Sequence, residues 1–440
     1  MKRVYKGELK QIKDLNTGDV VQNVSPKGSS YYAHLPALSY IMRVMDSHEP
    51  GLKMIQYKDP GRSFIASTTY RKLDEEVNVL TGSKRDRVLQ EYEEFRKGSV
   101  PSNIIVTSGA DPEIFVVDEK GIVIPAWEFL GSKKNPTIGP GYLRGKNNIY
   151  WDGFQAEFDV TADKCLGWTL DSIFYGLSGV ETAAKKHNPN ARLSHAAVVP
   201  IPDDMLREAK EEHVQFGCMP SLNAYGLEGI KEDGRLTPMR FAGGHIHFGF
   251  FGSKIEPEVY KRIVKSMDMI LGVACVSMFA DYDAPVRRQF YGMAGEYRLP
   301  PHGLEYRVLS NAWLMHPVIT NIVFDLARRA ASYGLENFQN WKAKEDDVVK
   351  CIQECNVDLA RSMLKENEIL LSKMMDTIYA GSGAQVAKVY QTGIDSFIAT
   401  PKDITKNWGT DKPGYWMTHC DGHLKNWRLA KATIALGEKV

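Results

Sequence analysis

Polar and apolar side chains alternate strictly in short runs along this chain, and such alternation marks strands with one buried and one exposed face. The runs predict strands at 112–117, 154–160, 195–201, 244–250 and 304–309. Between them lie longer stretches with a helical period, at 168–187, 257–280, 316–333 and 345–378. Thr169 or Asp171 is expected to start the first helix, and Pro257 after Glu256 the second. Parallel βαβ units carry continuous apolar strands. The alternation here predicts an antiparallel sheet with two unlike faces and an α+β fold.

The first 82 residues have a different texture. Runs such as Leu52 to Tyr57 are set between turn signals at Thr17-Gly18-Asp19, Ser25-Pro26-Lys27-Gly28 and Asp59-Pro60-Gly61, which predicts a small β-rich domain over 1–82. Residues 83–100 read as a charged helical connector ending at Gly98. A main domain is expected over 101–380, and a C-terminal extension without clear period over 381–440.

The polar faces of four strands share one chemistry. Asp111 and Glu113 stand two apart, a spacing that places both on one side of a strand, with Pro112 marking its start or an exposed edge. Gln155, Glu157 and Asp159 share a face opposite Phe154, Ala156, Phe158 and Val160. His245 and His247 follow a Gly243-Gly244 pair that permits close approach to the backbone. Glu305 and Arg307 repeat the spacing. Brought into one sheet, these faces would form a basin of carboxylates that needs counter-cations. Oxygen-rich ligation with little sulfur selects Mg²⁺ or Mn²⁺ before Zn²⁺, and Mg²⁺ reserves coordination positions for phosphates, so a nucleotide is the natural second guest. The basic stretch from Arg287 to Arg298 supplies forked donors suited to phosphate and carboxylate.

Composition narrows the classes. Lys and Arg number 55 against 54 Asp and Glu, too even a balance to argue for nucleic acid or an anionic membrane. The six cysteines are scattered, the close pair Cys351 and Cys355 has no second pair to complete a zinc site, and reduced thiols of a cytoplasmic protein are expected. The greasy run from Met267 to Ala280 contains Asp268 and is too short to span a bilayer, and the N-terminus has no apolar signal region.

Each piece alone has a plainer reading. A D-x-E is commonly a solvated face, and an E-x-R a cross-strand ion pair. Met267, Met269, Met278 and Phe279 read as core packing, Asp118 and Glu119 as a hairpin turn with Lys120-Gly121, and His187, His195, His213 and His316 as structural. What carries weight is the recurrence of one polar/apolar division in four segments.

The order of motifs is Asp-Pro-Glu at 111–113, D-G-x-x-x-E at 152–157, G-G-H-I-H-F-G at 243–249, R-x-x-Y-G-x-x-G-x-Y-R at 288–298 and G-x-E-Y-R at 303–307. It resembles the phage-type carboxylate-amine ligases of the glutamine synthetase and glutamate-cysteine ligase superfamily, over roughly residues 105 to 335. The resemblance implies a glutamine-synthetase-like curved antiparallel sheet with flanking helices. It also implies an ATP- and magnesium-dependent ligase that forms an amide through an acyl phosphate, in the cytoplasm of an infected bacterium if phage-encoded. By the same resemblance Asp111, Glu113, Glu157, His245 and Glu305 are the metal ligands, and Asp159 is a further candidate by face parity. His247, Arg288, Tyr291 and Arg298 lie toward the nucleotide, and Arg288, Arg298 and Arg307 hold the γ-phosphate and substrate carboxylate. Asp111 departs from glutamine synthetase, which has Glu at that position. Small-molecule or peptide carboxylates and amines are the implied partners, and related enzymes often assemble as homo-oligomers. A phosphotransferase of the same superfamily, or a phage structural protein keeping the fold without activity, stand as alternatives.

Overall fold

The strand expected at 112–117 is present from Glu113, without Asp111, and the one expected over 154–160 is divided in two. In the computed structural model Ile105–Ala110 (β7) and Glu113–Val117 (β8) are separate strands with Asp111 and Pro112 between them, and Gln155–Phe158 (β11) and Val160–Asp163 (β12) are divided at Asp159. Both breaks are places where the chain leaves one sheet for another. Pro112 lacks the N–H that a continuing ladder needs, which gives the first break its local cause.

The structure describes residues 5–22, 38–46, 51–58, 66–96, 105–139, 148–163, 166–214, 221–229, 237–251, 254–279, 282–336, 341–368, 370–371 and 404–408. Six strands, Gly7–Gln11 (β1), Val20–Gln22 (β2), Ser39–Asp46 (β3), Leu52–Lys58 (β4), Ala66–Lys72 (β5) and Glu76–Leu80 (β6), form a sheet in the order β1-β6-β2-β3-β4-β5. Ile12, Val21, Ile41, Ile55, Tyr57, Val77 and Val79 give it a core of its own. Helix Ser83–Arg96 follows, with Val88 packed beside Val20 and Leu80. The turn expected at Gly18 is present with φ +92°, while those at 25–28 and 59–61 lie outside the described residues.

The remaining strands are Thr137–Ile138 (β9), Asn148–Asp152 (β10), Arg192–Ser194 (β13), Val198–Pro200 (β14), Leu222–Asn223 (β15), Met239–Phe241 (β16), Ile246–Phe251 (β17), Glu296–Arg298 (β18) and Gly303–Tyr306 (β19). One sheet runs β13-β8-β11-β10-β9, a second β12-β7-β17-β19-β18-β15, and β14 pairs with β16. Strand pairs throughout the described residues are antiparallel, and the fold is α+β as expected. Ile246, Phe248, Leu304 and Tyr306 turn the apolar face of the second sheet onto a core shared with Val264, Met267, Leu271, Ile319 and Phe324 from the helices.

The helices differ in detail from expectation. The first spans Leu166–His187, so Thr169 and Asp171 lie inside it, buried, and do not cap it. Pro257 does open its helix after Glu256, but that helix passes through a π-helical stretch at Asp268–Gly272 before resuming at Val273–Phe279. There Asp268 turns inward and accepts hydrogen bonds from Gly295 N at 2.6 Å and Tyr306 Oη at 2.6 Å. The single helix expected over 345–378 is two, Glu345–Gln353 and Val357–Glu366. Cys355, at φ +48°, closes the first in the left-handed conformation while Asn356 N bonds Cys351 O at 2.9 Å. Asn356 then caps the second through its side chain. Beyond 371 that expected helix lies outside the described residues, as does the C-terminal extension except for Ile404–Trp408, whose Trp408 indole donates to Leu314 O at 2.6 Å. Cys275, Cys351 and Cys355 are free thiols, and among the described residues no helix is long and apolar enough to cross a membrane.

Candidate metal and nucleotide site

The two sheet switches bring acidic residues to a common basin and sort them into two groups. In the first sheet Glu157 is the register partner of both Glu113 on β8 and Tyr150 on β10. Glu113, Asp152 and Glu157 present carboxylate oxygens within 4.8 Å of one another. In the second sheet His247 on β17 faces Glu305 on β19, and Asp111, stepping off the end of β7, joins them in a second group with the same mutual reach. Asp111 and Glu113, expected side by side on one strand, thus serve different groups because the chain changes sheets between them.

The second group is densely paired. His247 Nε2 lies 2.9 Å and His245 Nδ1 3.2 Å from Asp111 Oδ1, and His245 Nδ1 is also 3.4 Å from Glu305 Oε1. Arg298 grips Glu305 with both Nε, at 2.8 Å, and a terminal nitrogen, at 2.5 Å, while Arg307 adds a donor at 2.7 Å. Burial works to raise Asp111, but His247 and His245 outweigh it and hold the carboxyl well below its ordinary range. Glu305 is likewise lowered, since His245, Arg298 and Arg307 overcome its burial. His245 is lowered by burial and by the nearby Arg307 charge. His247 is raised because Asp111 overcomes burial. His302, on the turn between β18 and β19, places Nε2 2.9 Å from His247 Nδ1.

The first group is the less compensated. Burial, reinforced by the charges of Asp152 and Glu157, pushes Glu113 well above the carboxylate range. Burial and the charges of Asp111 and Asp152 push Glu157 up to about 8. Like charges directly opposite on neighbouring strands are unfavourable. The donors at hand are Lys133 Nζ and Tyr150 Oη, which give Glu157 hydrogen bonds of 3.0 and 2.6 Å, and Gly243 N and Tyr291 Oη, which give Glu113 bonds of 2.6 and 3.0 Å. Asp159 is exposed at the rim, where Tyr150 Oη and Asn148 reach it at 2.9 and 3.0 Å.

Tyr291 joins the groups. Its hydroxyl touches both Glu113 and His245 Nε2, and its ring lies 5.3 Å from the Arg307 guanidinium. The glycine pair makes room for this: a Cβ at Gly243 would meet Tyr291 Oη at 2.4 Å, and one at Gly244 would meet Trp313 Nε1 at 2.2 Å.

Asp111, Glu113, Glu157, His245, His247, Tyr291, Arg298, Glu305 and Arg307 therefore converge. Arg288 does not. It sits in the short helix Pro285–Phe290, which turns both Arg287 and Arg288 inward onto Asp283, at 2.7 Å each. Arg288 is completed by the carbonyls of Gly292 and Val308, so its donors hold the loop that carries Tyr291 and do not face the basin. Asp152, Lys133, Tyr150 and His302 are given no site role by the sequence reading. Asp152 carries a signal, since it opens the D-G-x-x-x-E motif that ends at Glu157. His187, His195, His213 and His316 stay outside the basin; His187 pairs with Glu128, and His213 stacks on Trp127.

Residues 237–410 match the family model described as Phage phiEco32-like COOH.NH2 ligase-type 2, and over that span the resemblance read from motif order is borne out. The span holds the histidines, Tyr291, Arg298, Glu305 and Arg307; Asp111 and the carboxylates of the first group precede it. Among solved structures the chain is similar to a bifunctional glutathione synthetase from Pasteurella multocida, at 12% identity and TM-score 0.36, covering 76% of this chain and 50% of that one. This chain thus spans half the length of that protein. It is similar also to GmaS in complex with ADP, at 14% identity and TM-score 0.33, covering 79% and 83% of the two chains. A third similar structure is described as a novel glutamine synthase homolog, at 11% identity and TM-score 0.35, covering 89% and 85%. No curated protein matches the chain.

Proposed function

We propose that this protein is an ATP- and divalent-metal-dependent ligase that joins a carboxylate to an amine. The observation that carries the reading is the pair of donor groups, Asp111/His247/Glu305 and Glu113/Asp152/Glu157, linked through His245 and Tyr291 and bordered by Arg298 and Arg307. Five carboxylates with two imidazoles, and no thiolate, fit Mg²⁺ or Mn²⁺. The unfavourable proximity of Glu113, Asp152 and Glu157 is the mark of a donor set built for a cation. The two groups would each hold one ion, whose chemistry is to neutralise phosphate oxygens and withdraw charge as the phosphoryl group transfers.

The substrate carboxylate attacks the γ-phosphorus of ATP, ADP leaves, and an acyl phosphate forms. An amine then attacks the acyl carbon, inorganic phosphate leaves, and the amide forms as a carboxylate on the basin rim accepts the amine's proton. The side chains divide the work by exposure. Arg307 is 3% exposed and directs its donors to Glu305 and Glu296, so it positions the ligand carboxylate. Arg298 is 26% exposed and is the guanidinium open to an anionic substrate oxygen. Tyr291 sets the orientation of His245 and Glu113 at once. No protein nucleophile takes part.

Incubation with Mg-ATP and panels of acids and amines tests the proposal. ADP and phosphate should appear only when both an acid and an amine are present, and Glu157→Gln should abolish their release. Turnover that persists after removal of all divalent metal would overturn it, and a stable phosphorylated product in place of an amide would move the protein to the phosphotransferases.

A further inference from the structure

The loop of residues 131–136 carries a cation into the less compensated acid group. Its base is fixed to β10, where Trp151 N donates to Gly131 O at 3.0 Å and Ser132 bridges Trp151. Its tip is exposed, and from it Lys133 reaches in. Lys133 Nζ lies 3.0 Å from Glu157 Oε1 and 4.8 Å from the centre of the Tyr150 ring, with 67% of the side chain still open to solvent. The carboxylates of the other group are met by two histidines and two arginines, whereas among the described residues Lys133 is the cationic side chain hydrogen-bonded within the trio. A flexible, solvated ammonium bound to an inward oxygen of three converging carboxylates occupies the place of a counter-ion.

Resting on the proposed function, we infer that Lys133 is an exchangeable counter-cation of the Glu113/Asp152/Glu157 group, which gives up Glu157 to the divalent metal and then meets an anionic oxygen of the nucleotide. Glu157 Oε1 already accepts from Tyr150 and from Lys133, and an ion coordinated by that oxygen repels an ammonium at hydrogen-bond distance, so the two cations exclude one another. The ammonium so released stays tethered at the basin rim by a loop whose base does not need to move. A lysine, as a compact charge on a flexible stem, suits such an exchange better than the planar fork of an arginine.

Two binding measurements on the full-length protein test this. The first is Mn²⁺ titration followed by the electron paramagnetic resonance of free Mn²⁺. The second is calorimetric titration of ADP at saturating Mn²⁺. The wild-type chain should bind two Mn²⁺. Lys133→Met should bind one of them roughly tenfold tighter and bind ADP weaker by a similar factor; Lys133→Arg should keep ADP binding near wild type. The opposite signs exclude a merely structural effect, because local unfolding weakens both ligands. Unchanged Mn²⁺ affinity in Lys133→Met overturns the counter-cation role, and unchanged ADP affinity overturns the second contact. Absence of any Mn²⁺ binding by the wild type would instead remove the ligase reading on which the inference rests.

Discussion

Glu113 and Glu157 are register partners on adjacent antiparallel strands, two carboxylates set face to face in a buried part of the basin. Their opposition has a consequence for stability as well as for binding. Burial and neighbouring carboxylates raise Glu157 to about 8, above its value in the unfolded chain, so the native state holds a proton there that the unfolded chain has already lost. Metal-free protein should therefore lose stability as pH rises from 5 to 8, by about 1 kcal/mol or more. Urea denaturation in a chelating buffer should show that slope, Glu157→Gln should flatten it, and Mn²⁺ should restore the stability at pH 8. A metal-free wild type with constant stability across that range would contradict the assignment.

Arg298 and Arg307 share Glu305 but should respond oppositely to removal. Arg307 is buried between Glu305 and Glu296, and Arg307→Ala removes one donor to Glu305 and the cation that buried Glu296 faces, with an expected loss of about 3 kcal/mol in stability. The partly exposed Arg298 should cost little stability on replacement by Ala, under about 1 kcal/mol, and on the order of a hundredfold in ligase turnover. Denaturation midpoints and steady-state rates on the two variants separate the roles.

Gly244 admits the Trp313 indole against the backbone that leads into the two histidines, with Trp313 Nε1 donating to Gly244 O at 3.1 Å. A methyl group there would overlap the ring and Ser310 O, at 2.2 and 2.5 Å. Gly244→Ala should destabilise the protein by about 2 kcal/mol or more and weaken Mn²⁺ binding with it. Thermal unfolding with and without Mn²⁺ measures both.

His316 is buried, and burial lowers it to about 4, below its unfolded value near 6.5. The native form keeps the ring neutral where the unfolded chain takes a proton, so its contribution is full above about pH 6.5 and is lost as pH falls toward 4. His316→Gln should reduce the acid sensitivity of stability over that window. Paired denaturation curves at pH 4.5 and 7 would reveal an unchanged acid loss if the residue is not the source.

Face parity is legible in the sequence. His245 with His247 and Glu305 with Arg307 needed only period-two spacing to be placed together, and the apolar partners Ile246, Phe248, Leu304 and Tyr306 lie in the core as that spacing requires. Parity puts Asp111 and Glu113 on one face of one strand, but β7 ends at Ala110 and β8 begins at Glu113, so the two serve different groups. Lys133 and His302 come from loops, where no period announces direction. Arg288 has a residue type that suits phosphate, but Asp283, a few residues earlier in the chain, claims it locally.

Local sequence is enough for the inventory of donors, the antiparallel α+β class and the side of the strand on which His247 and Glu305 stand. Those properties depend on residue type and on neighbours one or two positions away, where backbone geometry leaves little choice. Which carboxylates lie together, that Asp152 joins Glu113 and Glu157, that Asp111 crosses to the histidines, and that Arg288 turns inward are properties of the folded chain alone. Such partnerships depend on which strands lie side by side and on where the chain changes sheets. Strand pairing of that kind is selected by burial of the whole core, to which no single segment holds the key.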